Sequence, residues 1–179
     1  MRNILITEFL KQEALKDIDK DFTVIYRPEG WSDKEYLDKE IHNFDGIIVR
    51  NKTKLDKNLL IKAHKLKFIG RLGVGLDNID TEYCKNNNIF VQPATGMNAD
   101  SVAEHVINSS LTLLKKTTIV NTQTQKGKWP RTTIITNELK GKTLGLIGFG
   151  NISKKVLKLV NAFDVSTITF DPYVSLEET

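Results

Sequence analysis

The stretch that most constrains this chain is Leu139-Lys-Gly-Lys-Thr-Leu-Gly-Leu-Ile-Gly-Phe-Gly-Asn-Ile-Ser153, which leads through a helical segment to Ile168-Thr-Phe-Asp-Pro172. An apolar run (Leu144, Leu146, Ile147) meets the glycines Gly148 and Gly150, and a second apolar run closes on Asp171, 21 residues past Gly150. The pattern predicts strand, tight turn, helix and strand. Gly148 lets the chain leave the strand sharply, and Gly150 lets a phosphate oxygen approach the backbone. A helix beginning near Asn151 aims its unpaired N–H groups at a pyrophosphate. At the end of the second strand, the Asp171 carboxylate can accept both hydroxyl hydrogens of an adenosine ribose and repel a 2′-phosphate, which favours NAD over NADP. The third glycine of the usual pattern is Ser153, whose β-carbon and hydroxyl are expected to widen the helix–strand gap slightly.

Composition sets outer limits. With 179 residues, 40% hydrophobic and 27% charged, the chain suits one large globular domain or two small ones. No charged-then-apolar leader follows Met1 and no apolar run approaches a membrane span, so the expected compartment is the cytoplasm, without membrane partners. Cys84 is the single cysteine, which excludes an intrachain disulfide and a cysteine-rich metal site. The net charge of +4 comes from lysines scattered along the chain. They read as solvated faces rather than a nucleic-acid stripe.

Before the glycine turn, strands and helices alternate. Ile4–Ile6, Phe22–Tyr26, Gly46–Val49, Leu66–Ile69 and Ile89–Val91 read as strands. Helical spacing runs over Phe9 to Ile18, over Tyr36, Leu37 and Ile41 behind a Ser32-Asp33 cap, over Leu55 to Ala63, and from Ile79 to Cys84. Five strands with intervening helices predict a doubly wound parallel sheet of the flavodoxin-like kind, which binds ligands at the carboxyl ends of its strands.

The texture changes after Pro93. Ser101-Val-Ala-Glu104 reads as a capping box opening a helix that carries Val102, Val106, Ile107, Leu111 and Leu114, and that bridges two domains. Lys115 to Thr136, with Gly127, Trp129 and Pro130, reads as an exposed excursion. These features divide the chain at residues 98 and 99. The first domain is flavodoxin-like; the second holds the bridging helix, the excursion and the start of a Rossmann domain. Two strands and one helix cannot complete that domain. The expectation is therefore a piece of a protein nearer 300 residues, or a partner that supplies the rest.

Three segments together resemble the D-2-hydroxyacid dehydrogenase family, especially its phosphoglycerate dehydrogenase branch. They are Ile48-Val-Arg-Asn-Lys-Thr-Lys54, Phe68-Ile-Gly-Arg-Leu-Gly-Val-Gly-Leu-Asp-Asn-Ile-Asp80, and the Gly148 region with its Phe170-Asp-Pro172 ending. The resemblance implies that the first domain holds the substrate and the second holds NAD. Hydride then passes between C2 of a small anionic 2-hydroxy or 2-oxo acid and the nicotinamide. It places cofactor contacts on Val74, Gly148, Gly150, Asn151, Ile152 and Asp171, and substrate contacts on Arg50, Asn51, Gly73, Val74 and Gly75. The family's catalytic arginine, glutamate and histidine are expected beyond Thr179, since His42, His64 and His105 do not match the catalytic position. The 179 residues alone are then expected to be inactive.

Arg50 and Arg71 end consecutive strands, and Arg131 lies in the excursion that, in similar proteins, reaches across a homodimer. Convergence of the three would suit a substrate with a second anion. 3-Phosphoglycerate is the first expectation, sulfolactate the second, and hydroxypyruvate or glyoxylate follow. The alternatives are a non-catalytic NAD-binding regulator of the same fold, and a stand-alone flavodoxin-like or receiver domain. Thr7-Glu8-Phe9 supplies neither the acidic cluster nor the phosphate loop that the last would need.

Overall fold

The computed structural model describes residues 1–16, 18 and 22–175. The chain forms two units, Met1–Thr95 and Gly96–Thr179, so the break falls three residues before the one drawn from sequence.

The first unit runs β1 (Arg2–Ile6), α1 (Gln12–Lys16), β2 (Phe22–Tyr26), α2 (Lys34–Glu40), β3 (Gly46–Val49), α3 (Lys57–Leu60), β4 (Phe68–Arg71), α4 (Thr81–Asn86) and β5 (Phe90–Pro93). Its five parallel strands lie in the order β2-β1-β3-β4-β5. This is the flavodoxin-like order, in which the winding reverses between β1 and β3. Strand side chains alternate between faces, so Leu5, Ile47, Ile69 and Val91, aligned by the register, form one row. That row packs on Leu37, Ile41, Phe44, Leu59, Leu60 and Cys84. Each fully buried aliphatic side chain there contributes about 1.5–3 kcal/mol.

Short helices in this unit depend on aspartate caps. Asp33, Asp56 and Asp80 accept from the amides of Tyr36, Leu59 and Tyr83 at 3.0, 3.0 and 2.8 Å. Ser32 does not cap; its hydroxyl donates to Glu29 O. α3 is shorter than the expected Leu55 to Ala63 because Leu55 instead bridges to Ile79 beside the sheet. β4 begins two residues later than expected, since Leu66 is buried in the turn after α3. Of the Phe9 to Ile18 helix only α1 is seen, and Asp17 lies outside the described residues.

The second unit contains α5 (Ala99–Lys115), α6 (Thr117–Gln125), β6 (Thr143–Ile147), α7 (Asn151–Val160) and β7 (Ser166–Phe170). β6 and β7 are parallel, with Ile147 beside Phe170. One face of the pair carries Leu144 and Leu146, which pack with Ala103, Val106, Ile107, Leu111 and Leu114 of α5 and Val156 and Val160 of α7. Ile147, Ile168 and Phe170 on the other face are exposed.

One expectation fails here. Ser101 and Glu104 are not a capping box: α5 starts at Ala99, where burial of that alanine brings the helix into the core one turn early, and both residues sit exposed inside it. The excursion is exposed, as expected, and it carries a helix. Lys116, in the left-handed region at φ 49°, ends α5, and α6 follows with no buried residue.

Candidate functional site

Each unit carries one candidate site. In the second unit the site is the turn between β6 and α7. Gly148 donates to Phe170 O at 2.7 Å and adopts φ 89°, a region that a side chain would strain. Phe149 buries its ring and turns its amide onto Asp171 Oδ2 at 2.6 Å. Gly150 is the N-cap of α7, and no side chain caps that end. The first amide of α7 to reach a helix carbonyl is that of Lys154, on Gly150 O at 3.0 Å. The N–H groups of Asn151, Ile152 and Ser153 precede it and so need acceptors from outside the helix. A β-carbon built on Gly148 or Gly150 meets nothing within 4 Å, so open space lies over the turn.

Asp171 accepts a second amide, that of Tyr173, at 2.9 Å. The Phe149 amide first, and the Tyr173 amide second, hold its carboxyl below the usual aspartate range against a small desolvation. A carboxylate has about four lone-pair positions, so two amides leave room for sugar hydroxyls. The substituted glycine, Ser153, donates its hydroxyl to Gly148 O at 2.7 Å and so ties α7 to the turn. Open space, free helix amides and an ionised acid beside the turn match the chemistry of a dinucleotide.

In the first unit the site lies at the carboxyl ends of β1 and β3, where the winding reverses. A cleft of about 170 Å³ is lined by Glu8, Phe9, Pro28, Glu29, Trp31, Arg50, Asn51 and Lys52. Lys52 Nζ stands 4.3 Å over the Trp31 ring. Arg50 follows β3 directly and Arg71 ends β4, with Val49 and Arg71 in register. The Arg71 guanidinium folds over Gly73, where a β-carbon would lie only 1.5 Å from Nη1. Any side chain at 73 must expel that arginine. Arg71 Nε is buried and unpaired among the described residues, a donor that an anion could satisfy. The Gly73 amide is taken by Arg71 O, and Val74 and Gly75 are exposed. Arg131 is exposed in the second unit, two residues past the exposed Trp129.

Sequence reasoning passed over the residues that hold this cleft together. Glu8, only 4% exposed, accepts from the amides of Arg50, Lys52 and Thr53 and from the Thr53 hydroxyl at 2.8–3.2 Å. Burial opposes its ionisation but is outweighed by the Thr53, Arg50 and Lys52 amides and the Thr53 hydroxyl, so its carboxyl sits below the usual range. The single Thr53 proton goes to Glu8, so Thr7 is the donor in the 2.7 Å contact between the two threonine hydroxyls. Asn78 Nδ2 donates to Arg50 O at 3.0 Å and Thr53 O at 2.7 Å. The one available signal was a Thr-Glu pair directly after the first strand.

Among the described residues, no three His, Cys, Asp or Glu side chains gather as metal ligands, and no helix is long and apolar enough to cross a membrane. His42, His64 and His105 are all exposed.

Residues 4–170 match the family model for the D-isomer specific 2-hydroxyacid dehydrogenase, catalytic domain. The chain belongs to this family. It is similar to the (S)-sulfolactate dehydrogenase of Chromohalobacter salexigens, 35% identical over 178 residues, covering 99% of this chain and 58% of that protein. The D-3-phosphoglycerate dehydrogenase of Archaeoglobus fulgidus is 36% identical over 174 residues, 97% of this chain and 33% of that protein. Among solved structures, the NAD+-bound 3-phosphoglycerate dehydrogenase of Entamoeba histolytica aligns with a TM-score of 0.77 and 28% identity, covering 98% of this chain and 56% of that one. The chain thus spans from a third to somewhat over half the length of these dehydrogenases.

Proposed function

We propose that this dehydrogenase family member uses NAD to move a hydride to or from C2 of a small 2-hydroxy or 2-oxo acid. The observation that carries the reading is the Asp171 carboxylate bonded to the Phe149 amide of an open glycine turn at the start of α7. In this reading the amides of Asn151 and Ile152 hold the diphosphate, and Gly148 and Gly150 leave space for it. Asp171 holds the adenosine ribose. NAD, when bound, supplies the hydride acceptor or donor. The residues of this chain bind and orient.

The acid falls to Arg50, Asn51, Gly73, Val74 and Gly75, with Arg71 and Arg131 available for a second anion. 3-Phosphoglycerate is the preferred substrate and sulfolactate the next, with hydroxypyruvate and glyoxylate after them. The activities of the sulfolactate and 3-phosphoglycerate dehydrogenases this chain resembles support an acid with a second anion, as does the unpaired Arg71 Nε. The exposed Trp129 and Arg131 suit a homodimer in which the excursion reaches the neighbouring copy.

Calorimetric titration of the intact protein with NADH, followed by turnover of the four acids, tests the reading. Heat with NADH and saturable turnover of a phosphorylated or sulfonated acid are expected. No heat with NADH overturns it, and an unchanged KM in Arg131→Ala for both dianionic acids removes that arginine from the site.

A further inference from the structure

The carboxylate of Glu8 sits where a bound anion might be sought, at the point where the sheet's winding reverses, yet it is a built-in part of the chain. Three amides of the Arg50–Thr53 segment and one hydroxyl converge on it. Converging main-chain N–H groups form an anion nest. Here the anion is the protein's own.

We propose that Glu8 and Asn78 are positioning residues for acid binding, holding the Arg50–Thr53 main chain so that Arg50 and Asn51 line the cleft. This rests on the dehydrogenase reading above. The segment's donors face Glu8, and its carbonyls at Arg50 and Thr53 face Asn78 Nδ2, so it is gripped from both sides. Asn78 belongs to the loop that follows the Gly73–Gly75 turn, and its own carbonyl accepts from Leu55 at 2.8 Å. The glycine turn and the arginine segment are thereby joined into one piece.

Glu8 is not a proton acceptor for the reaction. Its oxygens are engaged by four donors, and its carboxyl is already held ionised. Glu8 Oε1 takes the Arg50 and Thr53 amides and the Thr53 hydroxyl, and Oε2 takes the Lys52 amide. A glutamine at this place removes the charge from the Oε1 bonds and turns its NH₂ group against the Lys52 amide, and almost no water can enter to compensate, since Glu8 is 4% exposed.

The test uses the intact protein with Glu8→Gln and Asn78→Ala, read by residue-resolved amide exchange and by steady-state kinetics on 3-phosphoglycerate. In Glu8→Gln, the amides of Arg50, Lys52 and Thr53 are expected to exchange faster while those of Leu5 and Ile47 are unchanged. KM should rise roughly tenfold in both variants with kcat within about threefold, the pattern of lost ground-state binding. Thr53→Ser, which keeps the hydroxyl, should behave as wild type. Should Glu8→Gln fail to fold, Asn78→Ala carries the kinetic test alone. A Lys52 amide as protected in Glu8→Gln as in wild type, or an unchanged KM in Asn78→Ala, overturns the proposal. If wild type turns over none of the acids, the dehydrogenase reading falls and the positioning role with it. Amide exchange then still reports whether Glu8 holds the segment.

Discussion

Replacing each of the two turn glycines by alanine separates folding from cofactor binding. Gly150 has φ −80° and ψ −165°, a conformation that alanine adopts freely, and its β-carbon meets nothing within 4 Å. Alanine is the poorer N-cap by under about 1 kcal/mol. The narrower unfolded ensemble returns about 0.4–1 kcal/mol. Gly150→Ala should therefore leave stability unchanged to within roughly 0.5 kcal/mol. A methyl group over the turn nevertheless keeps a phosphate oxygen beyond the ~3.2 Å reach of the helix amides. Losing one or two such bonds to a charged oxygen, at about 1.5–3 kcal/mol each, weakens dinucleotide binding by roughly 10-fold to 10⁴-fold. Gly148 behaves differently. At φ 89° an alanine costs about 1–2 kcal/mol of backbone strain, so Gly148→Ala should also melt lower, by about 2–4 °C per kcal/mol. Thermal denaturation and calorimetric titration with NADH of both variants give the comparison. A Gly150→Ala protein as stable as wild type that binds NADH equally well would refute the assignment of the diphosphate to this turn.

Four further outcomes follow from the described geometry. Asp171→Ala should weaken NADH binding and shrink the preference over NADPH, measured as a ratio of dissociation constants. Because its folded carboxyl lies below the usual range, Asp171 contributes fully above the ordinary aspartate value of about 3.9, and its contribution is lost as pH falls through the lowered value. NADH affinity should accordingly stay level from neutrality to about pH 5 as far as this group is concerned. Burial first, and the Asp80 charge second, push the Cys84 thiol up to about 11, so a thiol reagent at mildly alkaline pH should label it only after unfolding. Ile47, fully buried in the sheet, should cost about 2–5 kcal/mol as Ile47→Ala in denaturant unfolding.

The strands were legible because their evidence is local. Phe22–Tyr26 and Gly46–Val49 are apolar runs whose limits coincide with β2 and β3. The glycine turn was legible for the same reason, since strand, turn, helix and acid follow one another in sequence. Ser101-Val-Ala-Glu104 misled because a serine three residues before a glutamate is equally compatible with a helix interior. What decided the start of α5 was the burial of Ala99, a tertiary fact. α6 was missed because a threonine-rich helix with no buried side chain leaves no apolar period to read. Glu8 was passed over because its partners lie 42 to 45 residues away and are main-chain amides, which every residue but proline possesses.

The carboxylate at position 171 has two tasks, since the oxygens available to a sugar also terminate the Phe149 amide of the turn. On the NAD reading proposed above, exchanging Asp171 for an apolar or basic residue is therefore not a one-step change of coenzyme. An apolar or basic residue at 171 that relieves the repulsion of a 2′-phosphate also leaves that N–H without its acceptor and disturbs the turn proposed to hold the diphosphate. Lineages that changed coenzyme from such a starting point would need a second replacement near Phe149 to restore the lost partner.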